Sequence, residues 1–264
     1  MPFVALHGCV HRYQLAGRDD RPALLFANSL GSDLRIWDDL AERLSGRFKI
    51  IRYDHRGHGL SDAPPAPYSL EALAGDVIAL LDHLEIAQAL LCGVSVGGLI
   101  AQAAAVRYPE RVRALVLSDT GARIGSFQAW QQRIEMIQSG GVSSIEQMTM
   151  ERWFSASFRA RRPADLRGYA NMLRQTSAEG YVGTCAALRD GDLRAAVKNI
   201  RCPTLVVCGA EDIATPPELG RALAGLIPGA KFSLIEAAAH LPCVEQPAAM
   251  EKTLAEFFRE VTIV

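Results

Sequence analysis

Along this chain, short and mostly apolar runs alternate with longer stretches in which apolar residues recur every third or fourth position. Ala23–Asn28 (ALLFAN), Phe48–Tyr53 (FKIIRY), Ala89–Val94 (ALLCGV), Val112–Ser118 (VRALVLS), Thr204–Cys208 (TLVVC) and Phe232–Ile235 have the length and continuity of strands buried on both faces. Ser69–Leu84, Val96–Arg107, Pro217–Leu226 and Pro247–Glu260 have helical length, and a proline at the start of a helix suits its missing N–H. Such an alternation predicts a mainly parallel α/β sheet, with Phe3–Gly8 and His11–Gly17 as an antiparallel hairpin at one edge. The rhythm breaks between Gly121 and about Ala195, where no strand-like run occurs. Helices are expected there over Phe127–Gln138, Ser144–Phe154 and Pro163–Gln175, separated by Gly140-Gly141, Arg161–Pro163 and Gly180. This predicts a core made of residues 1–120 and 196–264, with residues 121–195 inserted as a helical cap over one end of the sheet.

Composition narrows the function classes. The chain has 264 residues, enough for one large core, and a formal net charge of −1. That charge gives no basis for binding nucleic acid or an anionic membrane surface, and the apolar runs are too short to span a bilayer. The N-terminal MPFVALHGCV lacks a basic region followed by an apolar signal core, so no export is expected. Six cysteines (Cys9, Cys92, Cys185, Cys202, Cys208, Cys243) form no CxxC pair or zinc-type spacing and are expected as buried free thiols in a reducing cytoplasm. A homo-oligomer is left open.

The stretch LLCGVSVGGL, Leu90 to Leu99, places Ser95 between Gly93 and Gly97, after a buried strand and before a helix. A G-x-S-x-G sequence in that context is the nucleophile elbow of the α/β-hydrolases: a sharp, strained turn that lifts the serine hydroxyl clear of the backbone. The helix starting near Val96 directs free N–H groups to the same spot, which favours developing negative charge. Serine needs a base, and the base an orienting acid. The chain order in this fold is Ser, Asp or Glu, then His. Of the six histidines only His240 lies downstream of Ser95, between the last strand and the last helix. Asp212, just past Thr204–Cys208, is the expected acid; Glu211 beside it and Asp119 after Val112–Ser118 are its rivals. The oxyanion hole needs two backbone N–H groups, expected from Val96 and from Leu30 in the loop FANSLGSD. Asn28-Ser29 stands there where lipases and esterases carry a His-Gly pair.

The stretches NSLGSDLRIWD, YDHRGHGLSDAP, CGVSVGG, ERWF, GYVGTCAALRDGDL and AAAHLPCVEQP together resemble the 3-oxoadipate enol-lactonases, α/β-hydrolases with a helical cap that act in aromatic-compound catabolism (the β-ketoadipate pathway). His55 and Val96 depart from the expected pattern, at positions that touch no candidate catalytic side chain. The resemblance implies hydrolysis of a small-molecule lactone with no cofactor. A general carboxylesterase, a perhydrolase-type enzyme, a carbon–carbon bond hydrolase and a hydrolase-like ligand receptor are the alternatives.

His55 and His58 near Asp54 also raise a metal reading, which a structural use of the glycine-rich segment competes with; no metal is expected. In the cap, Trp153 and Trp130 are candidates for lining the pocket. The lactone's free carboxylate calls for a cation, and Arg133, three residues after Trp130 on a predicted helix, is the candidate, ahead of Arg152, Arg174 and Arg189. The competing reading has Arg133 paired with a surface acid such as Glu135 or Glu151.

Overall fold

In the computed structural model, which describes residues 2–261, eight strands make one sheet. They are β1 (Phe3–Leu6), β2 (Cys9–Gly17), β3 (Ala23–Ala27), β4 (Lys49–Tyr53), β5 (Ala89–Val94), β6 (Val112–Ser118), β7 (Thr204–Gly209) and β8 (Lys231–Ile235), in the spatial order β1-β2-β4-β3-β5-β6-β7-β8. β1 pairs antiparallel with β2 and β2 with β4, which is the expected edge hairpin; every other pairing is parallel. Parallel strands are covered on both faces by their crossover helices, and β3, β5 and β7 are buried at every position. β8 differs from the expectation. Only its Ile235 is fully buried, because β8 has one neighbouring strand and its outer side is left half open. Its Phe232 lies under the Arg221 guanidinium, 4.3 Å from the ring centre.

The helices around the sheet are α1 (Asp38–Leu44), α2 (Leu70–His83) and α3 (Val96–Arg107) in the first half of the chain. α1 follows a 3-10 turn at Leu34–Trp37 and has no counterpart in the sequence pattern. Trp37 fastens it: the side chain is fully buried, stacks on Phe26 at 4.6 Å, and donates from Nε1 to Asn28 Oδ1 at 3.0 Å. Ser69 caps α2 by accepting from the Ala72 N–H.

Between β6 and β7 the chain runs through five helices: α4 (Phe127–Gly140), α5 (Glu146–Trp153), α6 (Ala156–Arg161), α7 (Pro163–Gln175) and α8 (Ala178–Asp190). Two of them, α6 and α8, were not expected. Gly180 was expected to break the chain and instead sits in the first turn of α8. It is needed there for proximity: its backbone rests on that of Gly57, and a Cβ on either glycine would strike the other's backbone. The five helices share the hydrophobic core with the sheet, since Ile134, Trp153, Phe158, Leu173 and Tyr181 belong to the same buried cluster as Phe26 and Val94. The chain closes with α9 (Pro217–Leu226), α10 (Pro242–Glu245) and α11 (Pro247–Glu260). All six cysteines are free, and all but the half-buried Cys202 are buried. No helix among the described residues is long and apolar enough to cross a membrane.

Candidate active site

The parallel register sets where the polar groups fall. Ala27 pairs with Gly93, Val94 with Ser118, Ser118 with Val207 and Gly209 with Ile235, so the carboxyl ends of β3, β5, β6, β7 and β8 finish in a row. The chain order reverses direction across β3, with β4 on one side and β5 on the other. That is where open α/β sheets form a crevice.

Ser95 immediately precedes α3 and has φ 59° and ψ −121°, a conformation that costs a non-glycine residue on the order of 1–3 kcal/mol. The surroundings hold it there. The Ser95 N–H donates to the Ser118 carbonyl at 3.0 Å, and the Ser95 carbonyl accepts from the Gly98 N–H at 3.0 Å and from Thr120 Oγ1 at 2.7 Å. The flanking glycines are required by packing: a Cβ on Gly93 would run into the Gly97 carbonyl, and one on Gly97 into the Ala27 carbonyl.

His240 lies between β8 and α10, and Asp212 three residues past the end of β7; both are buried. His240 Nδ1 donates to Asp212 Oδ2 at 2.8 Å. The carboxylate also accepts the Ala214 N–H at 2.7 Å and the Thr215 N–H at 3.1 Å on Oδ1, and Thr215 Oγ1 at 2.6 Å on Oδ2. Burial pushes the Asp212 carboxyl up, but the His240 charge and these hydrogen bonds outweigh it and leave the group below the usual carboxylate range. An ionised Asp212 keeps the imidazole proton on Nδ1, which leaves Nε2 able to accept a proton.

The rival acids are placed differently. Glu211 is exposed. Asp119 is fully buried and within 4.8 Å of the other two groups, yet its oxygens accept from the Gly209 N–H at 2.7 Å and from Ser118 Oγ at 2.5 Å. Burial, and then the neighbouring Asp212 charge, push the Asp119 carboxyl well above its ordinary range. Two carboxyls this close cannot both ionise easily, and the one hydrogen-bonded to histidine keeps the charge. Asp119, Asp212 and His240 are also the one His/Cys/Asp/Glu group among the described residues whose ligand atoms converge, with the Asp212 oxygens and His240 Nδ1 already bonded within the chain.

Ser95 and His240 open into one cavity of about 410 Å³, which Ser29, Leu30 and Thr215 line from the sheet side. Val96 is the first residue of α3, whose opening N–H groups have no partner within the helix. Leu30 lines the cavity from the loop after β3.

A family model described as the alpha/beta hydrolase fold matches residues 22–247. The chain belongs to the α/β-hydrolase fold family. It is 41% identical over 237 residues to 3-oxoadipate enol-lactonase 2 of Acinetobacter baylyi, covering 90% of this chain and 88% of that protein. The crystal structure of the enol-lactonase from Burkholderia xenovorans superimposes with a TM-score of 0.95 at 37% identity, covering 98% of this chain and all of the other. A putative carbamate hydrolase, RutD, of Pseudomonas savastanoi is 27% identical over 96% of this chain and 98% of its own length.

From the helical side, the same hydrolase cavity is lined by Trp130 and Arg133 of α4, Arg152 and Trp153 of α5, and Tyr181 of α8. Trp130 is held by its Nε1, which donates to the Ile124 carbonyl at 2.6 Å. Arg133 reaches Tyr181 Oη and Met148 Sδ, each at 3.5 Å. The surface acids that could have paired with it are engaged elsewhere: Glu135 accepts from Gln131, and Glu151 from Gln147. The other arginines separate clearly. Arg174 pairs with Glu146 and Arg189 with Asp190, both outside the cavity, and Arg152 is exposed at its rim. Among the described residues the lining carries two guanidiniums and no carboxylate.

His55 and His58 lie in the β4–α2 loop, fully buried, with ring centres 3.8 Å apart and planes tilted by 46°, and each ring Nδ1 lies 3.3 Å from the Arg56 carbonyl. Two supporting residues had no signal in the spacing. Asn28 donates from Nδ2 to the Tyr53 carbonyl while accepting from Trp37, and so shapes the loop that carries Leu30. Glu245 accepts the Ala239 N–H at 2.8 Å and Ser155 Oγ at 2.5 Å, tying the His240 loop to α6. Both were recognisable only as polar residues in otherwise apolar segments.

Proposed function

We propose that this protein is a serine hydrolase that opens 3-oxoadipate enol-lactone to 3-oxoadipate, with Ser95 as nucleophile, His240 as base and Asp212 as the acid that orients it. Ser95 Oγ gives its proton to His240 Nε2 as it attacks the lactone carbonyl. The oxyanion is received by the N–H groups of Leu30 and Val96. Collapse breaks the ring ester bond and expels an enolate, a better leaving group than a simple alkoxide, which takes the proton from His240 and rearranges to the ketone. Water, deprotonated by His240, attacks the acyl-Ser95 ester, and its collapse returns the serine and releases the second carboxylate. One water is consumed per lactone, and no cofactor enters the balance.

The observation that carries the substrate is Arg133. Burying a free carboxylate in an apolar pocket is costly unless it is paired, and a guanidinium can hold it with two charge-assisted hydrogen bonds. Arg133 lines the same cavity as Ser95 and His240 and has no carboxylate partner among the described residues, while Trp130 and Trp153 supply apolar walls. A carbamate or neutral ester would leave that cation unused. The enol-lactonase relatives at 41% and 37% identity support the same reading. Residues 121–195 serve as the cap in this account.

The test is turnover of the purified protein on freshly prepared 3-oxoadipate enol-lactone beside a neutral aryl ester. A kcat/KM for the lactone well above that for the ester is expected; the reverse order would make the protein a general esterase.

A further inference from the structure

The second histidine in YDHRGHG, His58, has a partner that bears on the reaction. The loop Ser29–Ser32, between β3 and the turn at Leu34–Trp37, is held at three successive peptides. The Ser29 carbonyl accepts from the Ser32 N–H at 3.2 Å and from Ser32 Oγ at 2.9 Å. A trans peptide points its C=O and N–H in opposite directions, so this grip also sets the direction of the Leu30 N–H. The Gly31 N–H donates to His58 Nε2 at 2.8 Å, in a fully buried contact. The Gly31 carbonyl accepts from Thr176 Oγ1 at 3.2 Å, across from the end of α7. Gly31 itself has φ 80°, and a Cβ there would lie 2.6 Å from Leu173 and 3.0 Å from Tyr181. The loop is therefore pinned between the sheet side, through His58, and the helical segment, through Thr176.

We propose that His58 is a positioning residue: its Nε2 fixes the Leu30–Gly31 peptide, and through it the Leu30 N–H that receives the oxyanion, with Thr176 completing the clamp from the helical segment. The proposal rests on the assignment of the Leu30 N–H to the oxyanion hole made above. The partners dictate the tautomer, since a peptide N–H only donates and the Arg56 carbonyl only accepts, so His58 is neutral with its proton on Nδ1. Burial, and then the adjacent His55, hold the His58 imidazole well below its ordinary pKa, which keeps Nε2 an acceptor.

The experiment compares His58→Phe, His58→Gln and Thr176→Val, on both the lactone and p-nitrophenyl acetate. Phenylboronic acid, which forms a tetrahedral adduct with a nucleophilic serine and fills the oxyanion position, is titrated beside adipate, which does not. Removing an oxyanion donor costs about 10²–10³ in kcat and misplacing one by about 1 Å up to about 10²; His58→Phe is therefore expected to lower kcat about 10- to 100-fold on both substrates. KM and adipate affinity should change little, while boronate affinity falls with kcat. His58→Gln, whose Oε1 can take the place of Nε2, should recover most of the loss, and Thr176→Val should show the same pattern more weakly. An unchanged kcat in folded His58→Phe, a parallel loss of adipate affinity, or a His58→Gln as poor as His58→Phe would overturn the proposal. If His58→Phe does not fold, Thr176→Val decides: an intact kcat and boronate affinity overturn it. Because the aryl ester uses the same oxyanion hole, a protein that rejects the lactone still shows or lacks this split.

Discussion

The strand-end side of the cavity and its helical side use polar groups in opposite ways. On the strand-end side the groups that hold the geometry are satisfied: Asp212 accepts four hydrogen bonds, Ser95 is bonded through both its backbone groups, and Asp119 is sealed between Ser118 and Gly209. On the helical side Arg133, among the described residues, bonds to a tyrosine hydroxyl and a thioether and to no carboxylate, and Arg152 is exposed at the rim. Satisfied groups hold a geometry before any ligand arrives, which reaction chemistry requires. An unsatisfied cation is an invitation to an anion and selects what enters. The division implies that damage on the first side removes the reaction, whereas damage on the second changes only which molecules undergo it.

The sharpest test of that division is Ser95→Ala. It should leave the fold intact and lower turnover on every substrate by about 10⁵–10⁶, as loss of a nucleophile that acts in a unit does. Retention of a tenth of the activity would remove Ser95 from the chemistry.

The two carboxyls on the same side should then separate. Asp212→Asn leaves the imidazole in the wrong tautomer and should cost about 10⁴ in kcat. Asp119→Asn should fall within about tenfold of wild type, since its carboxyl bonds to Ser118 and Gly209 and not to the imidazole. Steady-state kinetics on one ester ranks them, and the reverse ranking would transfer the orienting role to Asp119.

On the helical side, Arg133→Met should weaken kcat/KM for the anionic lactone by roughly 2–5 kcal/mol, the cost of breaking a desolvated charge pair, and spare a small neutral ester. Equal losses on both substrates would erase the contrast between the two sides; no loss on the lactone would shift the anchor to Arg152.

The smallest effect concerns pH. Burial lowers the His55 pKa from the ordinary 6.5 to about 4. Below pH 6.5 the unfolded chain therefore binds more protons than the folded one. The stability linked to neutral His55 is complete above about pH 6.5 and is lost as the pH falls towards 4. Thermal melts from pH 7.5 down to about 4.5 should show Tm falling, and His55→Gln should flatten the fall. An identical slope in the variant would place the acid lability at other groups.

The strands and the elbow were legible because their cause is local. Continuous apolar runs such as ALLFAN and VRALVLS match β3 and β6 to within a residue, and G-x-S-x-G carries its own steric reason in the two glycines. The errors fell where the cause is distant. β8 shares the apolar look of the inner strands but has only one strand beside it, and edge position is not written in five residues. Gly180 looked like a break because the partner that demands a glycine, Gly57, lies far away in sequence. Helix α8 was missed for the same reason: its cap Ser177 and its buried face depend on what packs against them.

The sequence by itself determined the alternation of strand and helix, the order of Ser95, a downstream carboxyl and His240, and the four arginines that are candidates for an anion site. Those follow from periodicity, turn sterics and residue chemistry, all of which act over a few bonds. Only the tertiary structure decided which carboxyl meets the imidazole, which arginines reach the cavity without an acid, and that His58 and Thr176 close on either side of Gly31. Each of these depends on a contact between segments remote along the chain, and hydrogen bonds and ion pairs act over a few ångströms of space, a distance that sequence separation does not measure.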